Sequence, residues 1–240
     1  MCTRLTIDPV RWLLSLLFLL SRATISGART DASIQIVTVL ITTGRSLHDL
    51  SEYTTTAHRF LSNHKRYSSL FNYSYHIRSN STYTKSHWEK IAVVDFFLST
   101  CNIDDVLFYT DLDFLFTSTK PLPLFDFNKS IIMARGCLPE DSSELMVGNI
   151  MMRCDKRLHA LPGMWLAAAM VSTKHEFNDE QKGFNVIAHL FADEIQILPF
   201  MKYDKCTNMP DSLVGIHFPG GGKPARLRLY LESSKSGINF

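Results

Sequence analysis

The sequence predicts an α/β domain built on a mainly parallel sheet. Apolar, strand-like segments alternate with segments of helical period from residue 34 to residue 200. Such alternation is typical of units in which helices connect parallel strands. The chain has 240 residues, of which 45% are hydrophobic, and this is enough for one core of substantial size. A net charge of +2 with scattered basic residues gives no indication of nucleic-acid binding.

Short apolar runs mark the strands, and one-sided apolar stripes mark the helices. The segment 86–101, for example, places Trp88, Ile91, Val94 and Phe97 on one helical face. The segment 201–240 is rich in loop-forming residues. We therefore expect strands at 34–42, 70–77, 106–116, 130–134, 145–153 and 194–200, and helices at 47–67, 86–101, 163–171 and 180–192.

The first 28 residues have the composition of a signal peptide. Arg4 and Arg11 precede the apolar run WLLSLLFLLS, and small residues at 26–28 offer a cleavage site. The run is shorter than the roughly 20 residues that span a bilayer, and a short signal anchor is the alternative. We expect residues 29–240 to form a single domain in the lumen of the secretory pathway, with the Golgi favoured and secretion as the other destination.

An oxidising lumen would give a role to the cysteines and to the asparagine sequons. The cysteines beyond the signal segment can form two disulfides or remain free thiols, and the sequence does not fix their pairing. Glycosylation sequons begin at Asn72, Asn80 and Asn128. Asn72 lies in an apolar stretch, where its side chain can be buried. The four cysteines are Cys101, Cys137, Cys154 and Cys206.

Two carboxylates interrupt the apolar segment VLFYTDLDFLF at 106–116. Only Leu112 separates Asp111 from Asp113, so both point to the same side of an extended chain, where their charges repel unless a cation lies nearby. The carboxyl ends of strands are where open α/β sheets bind ligands. Because carboxylate oxygens suit Mg²⁺ and Mn²⁺, the pair predicts a divalent metal site. The alternative is a solvated pair that caps a turn.

The segment GIHFPGGGKP at 215–224 supplies further candidate ligands. His217 can bind a metal, and the glycine run at 220–222 lets backbone N–H groups approach an anion closely. Lys223 adds a point charge for phosphate. Together with the Asp pair, these residues predict a metal-bound diphosphate, whereas a flexible loop is the alternative. The sequence has no Gly-x-Gly-x-x-Gly, Walker or Gly-x-Ser-x-Gly motif, which disfavours dinucleotide enzymes, P-loop enzymes and α/β-hydrolases.

Tyr-x-Asp-x-Asp at 109–113, followed by His-x-x-Gly-x-x-Lys-Pro at 217–224, resembles the GT-A-fold retaining glycosyltransferases. The second motif is similar to that of the glycogenin and galactinol synthase type. SNHKRYSSLFNYSYHI and HWEKIAVV resemble segments of the galactomannan galactosyltransferase, xyloglucan xylosyltransferase and fungal α-mannosyltransferase type. The resemblance covers residues 34–224. It implies a GT-A, Rossmann-like nucleotide-diphospho-sugar transferase fold with a mixed, mainly parallel sheet flanked by helices.

The resemblance also implies a donor site. Asp111, Asp113 and His217 would hold Mn²⁺ or Mg²⁺, and Lys223 would bind the diphosphate. Lys90 could reach the phosphates or the sugar, although a solvated lysine on a helix is the alternative. The backbone of Gly220, Gly221 and Gly222 would bind phosphate, and Thr42, Thr43 and Gly44 would lie near the base and ribose.

The transfer side resembles the family less closely. The family has Asn-x-Gly on a strand, whereas here Gly148 precedes Asn149. The family's Asp-Gln pair at a helix start corresponds to Glu180 and Gln181, or Asp179 takes the place of the acid. The resemblance implies that Asn149, Asp179, Glu180 and Gln181 are catalytic, while a plain helix start is the alternative for the segment at 178–181.

The resemblance thus implies a metal-dependent, retaining hexosyl- or pentosyltransferase. It would use a nucleotide-sugar, with UDP-sugar favoured, and a glycan or glycoconjugate hydroxyl as acceptor. One alternative is a non-catalytic secreted protein of the same fold that binds a nucleotide or glycan, and the altered segments at 148–149 and 179–181 favour it. The other is a metal-dependent phosphohydrolase, for which the chain supplies few carboxylates. Beyond an N-terminal anchor we expect no membrane partner, and the oligomeric state stays open.

Overall fold

The part of the protein described by the computed structural model is residues 33–40, 47–83, 86–136, 144–171, 179–204, 214–218 and 223–233. These residues form nine strands and five α-helices. The strands are β1 (Ile34–Val39), β2 (Ser74–Arg78), β3 (Val106–Thr110), β4 (Phe114–Phe116), β5 (Ile131–Arg135), β6 (Leu145–Arg153), β7 (Ile195–Ile197), β8 (Met201–Tyr203) and β9 (Gly215–His217). The helices are α1 (Leu47–Leu70), α2 (Glu89–Thr100), α3 (Leu161–Val171), α4 (Asp179–Ile187) and α5 (Lys223–Ser233).

Six of these strands form a mixed sheet in the order β2-β1-β3-β6-β5-β7. β6 runs antiparallel to both of its neighbours, whereas the other adjacent pairs are parallel. The prediction of a mixed, mainly parallel sheet flanked by helices is therefore confirmed. β6 pairs with β5 through residues 145–146 and again through residues 151–152. Residues 147–150 form an irregularity between these pairings, and Gly148 and Asn149 lie there opposite the end of β3.

The remaining strands form a small sheet in the order β4-β9-β8. β4 pairs antiparallel with β9, and this register sets Phe114 opposite His217. β8 pairs parallel with β9 on its other side. The small sheet thus brings a C-terminal strand beside the residue that follows Asp113.

Three apolar clusters hold the layers together. On one face of the large sheet, Leu107 and Ile150 pack with α2, α3 and α4. Phe108 and Met151 belong to a second cluster, which includes Tyr67 of α1. The third joins α1 and α5 over the small sheet and contains Leu112, the residue between the two aspartates.

Most predicted elements are confirmed within a few residues, but one expectation is wrong. The segment 106–116 is not one strand: it divides into β3 and β4, which belong to different sheets. Its apolar pattern is continuous because both strands are fully buried. The segment 201–240, which is rich in loop-forming residues, also contains β8, β9 and α5.

A disulfide joins Cys101, at the end of α2, to Cys154, just after β6. The Cys154 amide also donates to the carbonyl of Asp105, the residue before β3, at 2.7 Å. Cys137 and Cys206 lie outside the described residues. Asn72 is exposed at a turn with a φ of 57°, so the expectation that it can be buried is wrong.

Residues Ala32–Phe240 form one compact unit. The predicted signal segment at 1–28 lies outside the described residues. Among those described, no helix combines the length and the apolar composition that crossing a membrane requires.

Two helical glycines differ in the space around them. A Cβ atom on Gly183 of α4 would lie 2.5 Å from the backbone nitrogen of Ala169 in α3 and 2.7 Å from its Cα. A Cβ on Gly163 of α3 would meet no atom within 4 Å. Only Gly183 is therefore required by the packing of α3 on α4.

We expect Gly183→Ala to lower the free energy of unfolding by about 2–3 kcal/mol, because neither helix backbone can move away without loss of packing. Gly163→Ala is the matched control and should raise it by about 0.5–1 kcal/mol, since alanine is the better helix former. Urea denaturation measures both. Equal effects of the two substitutions would contradict the close contact.

Candidate functional site

The turn between β3 and β4 carries Asp111 and Asp113 at the point where the chain leaves the large sheet. The Asp111 amide donates to the Gly148 carbonyl at 2.7 Å, and the Phe114 amide donates back to the Asp111 carbonyl at 3.2 Å. Leu112 is buried in the cluster formed by α1 and α5. The apolar side chain anchors the turn, and the two carboxylates on either side of it reach the carboxyl end of β3.

His217 completes a group of three potential metal ligands. Its Nε2 lies 3.0 Å from Asp113 Oδ1, and the Phe218 amide donates to the Asp113 carbonyl at 2.9 Å. One ligand atom from each of Asp111, Asp113 and His217 lies within 4.8 Å of the others. The structure thus brings together the three residues predicted as metal ligands. Two carboxylates and one imidazole suit a hard divalent cation such as Mn²⁺ or Mg²⁺.

Gly148 forms one wall of this group. A Cβ atom at this position would lie 2.8 Å from Asp111 Oδ2 and 2.8 Å from His217 Cε1. A glycine is therefore required where the two ligands converge. In the Asn-x-Gly pattern of the resembled family the glycine follows the asparagine, whereas here the residue before Asn149 gives the close backbone approach to the ligands.

Lys90 is the cation that faces Asp111. Its Nζ lies 3.6 Å from Asp111 Oδ1 and donates to Glu180 Oε1 at 3.2 Å. Burial lowers the pKa of Lys90, but the charges of Asp111 and Glu180 outweigh burial and raise the pKa above its ordinary 10.5. With 3% of its surface exposed, Lys90 is not the solvated helix residue of the alternative reading.

Tyr109 fixes the orientation of Asp111. Its hydroxyl donates to Asp111 Oδ1 at 2.6 Å, and Lys90 Nζ lies 5.7 Å from the centre of its ring. Burial, followed by the charge of Asp111, raises the pKa of the phenol well above its usual 10.0, so it remains a donor. Tyr109 was not among the predicted site residues, although its position two residues before Asp111 places both side chains on the same side of the chain.

Glu180 of α4 contacts Lys90 on one side and His87 on the other. Its Oε2 lies 3.6 Å from His87 Nε2, and its carbonyl accepts from Trp165 Nε1 at 2.6 Å. His87 was not among the predicted site residues, although it opens the segment HWEKIAVV, which contains Lys90. Glu180 therefore lies between two basic side chains, one of which also faces Asp111.

The other predicted catalytic residues are placed differently. Gln181 donates to Glu144 Oε2 at 2.8 Å. Asn149 is fully buried, accepts from the Thr110 hydroxyl at 2.7 Å and donates to Met201 Sδ at 3.2 Å. Asp179 is the first residue of α4, and its side chain lies outside the described part of the protein. The catalytic assignments of all four residues, Glu180 included, stay predictions.

Several predicted donor-binding residues also lie outside the described residues. These are Thr42, Thr43 and Gly44 after β1, and Gly220, Gly221 and Gly222 before α5. Lys223 is the first residue of α5, and only its backbone is described.

His64 of α1 contacts β4, the strand that follows the turn with Asp111 and Asp113 (the Asp turn). Its Nε2 lies 2.5 Å from the Phe114 carbonyl, and its Nδ1 lies 2.9 Å from the Thr38 hydroxyl. The carbonyl can only accept, so Nε2 carries the proton and Nδ1 accepts from Thr38. Burial lowers the pKa of His64 from 6.5 to about 4, which keeps the ring neutral in this arrangement.

Comparison with solved structures identifies the architecture. A glycosyltransferase involved in the glycosylation of the major capsid of PBCV-1 superposes with a TM-score of 0.59 at 16% sequence identity, covering 83% of this chain and 99% of that one. The galactosyltransferase LgtC, in complex with donor and acceptor sugar analogs, gives 0.52 at 12% identity, covering 82% and 95%. The chain has a GT-A fold. The apo-form glycosyltransferase GlyE of Streptococcus pneumoniae TIGR4 gives 0.53 at 14% identity, covering 86% of this chain and 61% of that one.

No protein-family model matches the chain, and no curated protein matches it. The predicted fold is nevertheless confirmed, because these solved structures cover 82–86% of this chain. The functional implications rest on the site itself.

The charges of this GT-A site favour occupation by a divalent cation. Asp111, Asp113 and Glu180 supply three carboxylates, and Lys90 supplies one positive charge. Among the described residues of the site, this leaves uncompensated negative charges in a partly buried region, and they are costly without a counterion. One divalent cation between Asp111, Asp113 and His217 would balance them.

The pKa of His64 leads to a prediction about stability in acid. Unfolding lets His64 take up a proton below about pH 6.5, whereas the folded protein binds it only below about pH 4. Stability therefore falls as the pH falls through this window, by about 3 kcal/mol from this residue. In His64→Gln, whose amide can replace both hydrogen bonds, this component should be absent.

Urea denaturation at pH 6.5 and pH 4 measures the effect as the difference between the wild type and His64→Gln. His58→Gln, at an exposed position of the same helix, controls for the substitution. An unchanged difference between wild type and His64→Gln across this pH range would show that His64 does not titrate as expected.

Proposed function

We propose that the protein is a metal-dependent glycosyltransferase. It moves a hexose or pentose from a nucleotide-sugar, with UDP-sugar favoured, to a hydroxyl of a glycan or glycoconjugate, with retention at the anomeric carbon. The observation that carries the proposal is the convergence of Asp111, Asp113 and His217 at the carboxyl end of β3. The GT-A fold shared with several glycosyltransferases supports it.

Asp111, Asp113 and His217 are the residues that would hold the metal. Their donor atoms suit Mn²⁺ or Mg²⁺, and Gly148 leaves space beside two of them. A divalent cation bound there would act as a Lewis acid on the diphosphate leaving group. Tyr109 keeps one oxygen of Asp111 engaged, so that Oδ2 is the oxygen directed toward His217 and Gly148.

Lys90 and Lys223 would offset the negative charge that develops on the leaving diphosphate. Lys90 is already held beside Asp111 by its contact with Glu180, so its position is fixed before substrate binds. Glu180, which lies between Lys90 and His87, is the carboxylate we assign to the donor sugar. Its charge would favour the positive character that the anomeric carbon acquires as the glycosidic bond breaks.

We assign Asn149 a positioning role, which differs from the catalytic role that the family motif implies. Its side chain is buried and bonded to Thr110, whose hydroxyl also lies 3.2 Å from the Asp111 carbonyl. Asn149 would therefore position the Asp turn rather than touch the sugar. Gln181, bonded to Glu144, would have to leave that partner to reach a substrate.

These two placements favour a second candidate function, a GT-A protein that binds a nucleotide or glycan without transfer. The three candidate metal ligands converge, whereas Asn149 and Gln181 are engaged within the protein. Such a protein would bind UDP in the presence of Mn²⁺ without releasing it from any UDP-sugar.

We expect Asp113→Asn to lower metal-dependent UDP release by about a hundredfold or more, because a neutral amide is a poor metal ligand. The substitution preserves side-chain size, so the unfolding midpoint should change little. The measurement is UDP release from UDP-Gal, UDP-Glc, UDP-Xyl and UDP-GlcNAc with Mn²⁺ and then with EDTA. GDP release from GDP-Man under the same conditions completes the donor panel.

Asp193→Asn, at an exposed position away from the metal ligands, is the control and should retain full activity. Release that survives both EDTA and Asp113→Asn would contradict the metal-dependent mechanism. UDP binding without release from any donor would favour the binding protein, and absence of both would reject the proposal.

We also propose that the protein works in the lumen of the secretory pathway, with the Golgi favoured. The Cys101–Cys154 disulfide and the exposed Asn80 of a sequon support this location. Expressed in eukaryotic secretory cells, the protein should lose mass on treatment with an N-glycosidase, and Cys101 and Cys154 should resist alkylation until reduced. An unmodified chain with alkylated Cys101 and Cys154 would contradict this location.

A further inference from the structure

The loop between β4 and β5 leaves the ring of Phe127 at the surface. Phe127 is 91% exposed, the largest fraction among the large apolar residues that the structure describes. In the same loop, Leu122 is buried and Phe125 packs against the cluster that contains Phe108 and Met151. A single exposed apolar side chain is ordinary on a protein surface, so Phe127 gains significance only from the group beside it.

Phe127 and Asn128 lie at the two central positions of an ordered turn. The Lys129 amide donates to the Asp126 carbonyl at 2.9 Å, which closes a four-residue turn. Arg153 Nη2 donates to the Lys129 carbonyl at 2.7 Å and lies 3.4 Å from the Phe127 carbonyl. The exposure of the ring is therefore a property of a turn whose backbone is fixed by hydrogen bonds.

The same turn carries the sequon Asn128-Lys129-Ser130, and its three side chains take different directions. Lys129 Nζ donates to the Asp193 carbonyl at 2.8 Å. Ser130 is fully buried, and its hydroxyl donates to Asp155 Oδ2 at 2.6 Å. Asn128 is exposed. The amide that a glycan would modify thus lies at the surface, next in the chain to the exposed ring.

The two other sequons lack this combination. The residue before Asn80 is Ser79, which has no apolar ring. The residue before Asn72 is Phe71, which packs against Tyr67 with ring centres 5.0 Å apart. Among the three sequons, only the one at Asn128 directly follows an exposed aromatic side chain.

We propose that Asn128 carries an N-linked glycan whose first sugar covers one face of the Phe127 ring. This inference goes beyond the proposed transfer activity and rests only on the proposed lumenal location. A pyranose ring presents C–H groups on one face, and the face of an aromatic ring attracts them because it carries partial negative charge. The apolar surface at the turn thereby acquires a partner from the neighbouring residue.

The modification is a transfer of an oligosaccharide from a lipid diphosphate by the glycosylation machinery of the secretory pathway. A bond forms between Asn128 Nδ2 and the anomeric carbon of the first sugar. The bond from that carbon to the diphosphate oxygen breaks, and the lipid diphosphate leaves with the electron pair. The amide nitrogen gives up one proton to a base of the transferring enzyme.

Ser130 determines when this transfer can take place. A sequon is read through its hydroxyl residue, but in the folded protein the Ser130 hydroxyl is enclosed between Asp155 and Arg157, whose Nη2 lies at 3.3 Å. Asp155 and Arg157 follow Ser130 by 25 and 27 residues. The Ser130 amide also donates to the carbonyl of Glu194 at 2.9 Å, just before β7. The glycan is therefore attached before these partners fold onto β5.

The first experiment measures which sequons are occupied. Full-length protein recovered from eukaryotic secretory cells is digested, and its glycopeptides are identified by mass spectrometry. We expect a glycan on Asn128 in most molecules and none at this position in Asn128→Gln. Asn80→Gln is the matched control, since it removes a sequon that no exposed ring precedes.

Hydroxyl-radical oxidation of the folded glycoprotein then measures the cover over Phe127. Phe127 should be oxidised about twofold more slowly in the wild type than in Asn128→Gln, because a sugar on one face shields roughly half of the ring. Asn80→Gln should leave this protection unchanged. Phe96 of α2, which is 51% exposed, should be oxidised equally in all three proteins. If Asn128→Gln is not recovered, wild-type protein treated with an N-glycosidase under native conditions takes its place.

The timing is tested on protein made without glycans in bacteria. Given a purified oligosaccharyltransferase and a lipid-linked oligosaccharide, the unfolded, reduced and alkylated chain should accept sugar at Asn128, whereas the folded protein should not. Modification of Asn128 in the folded protein, or its absence in the unfolded chain, would contradict the role of Ser130.

Occupied Asn80 beside an empty Asn128 would overturn the inference, and equal oxidation of Phe127 in wild type and Asn128→Gln would overturn the cover. Absence of glycan from all three sequons would reject the proposed lumenal location together with the inference. None of these results bears on Mn²⁺-dependent UDP release, so failure here and failure of the proposed transferase are distinguishable.

Discussion

The repulsion between three carboxylates at the carboxyl end of β3 is the constraint on which the rest of the site depends. Asp111, Asp113 and Glu180 come from two elements far apart in the chain and converge in a region that is largely closed to solvent. Lys90 offsets part of this charge by facing Asp111 and Glu180 at once. Burying Lys90 costs desolvation energy, which its contacts with Asp111 and Glu180 offset.

The topology explains how the carboxylates come to lie there without disrupting the core. β3 ends in the large sheet and β4 begins in the small one, so the chain must turn where the sheets separate. Leu112 stays in the apolar cluster below the turn, and the flanking aspartates are left at its edge. The register of β4 with β9 then delivers His217 to the same place. The three candidate ligands converge because the change of sheet and the strand register coincide.

Much of the fold, and the three candidate metal ligands, could be predicted from local sequence pattern. The order of strands and helices follows from the period of apolar residues, and the three ligands follow from carboxylate spacing and the histidine beside the glycine run. The split of 106–116 into two strands could not be predicted, because strands buried on both faces give the same unbroken apolar pattern as one long strand. The contacts of Lys90 with Glu180 and of Tyr109 with Asp111 depend on how α2, α4 and β3 pack together. Period and spacing do not report that packing.

The order of Gly148 and Asn149 decides which of the two residues lies beside the candidate metal ligands. What the site requires is a position without a side chain where Asp111 and His217 meet, and Gly148 provides it. The irregularity at residues 147–150 lets β6 present Gly148 to the ligands while Asn149 bonds to Thr110 in the interior. Because the irregularity sets which residue of β6 faces the ligands, the glycine lies at 148, next to Asn149. The order of the two residues in the sequence does not reveal this close approach, whereas the geometry around Asp111 and His217 does.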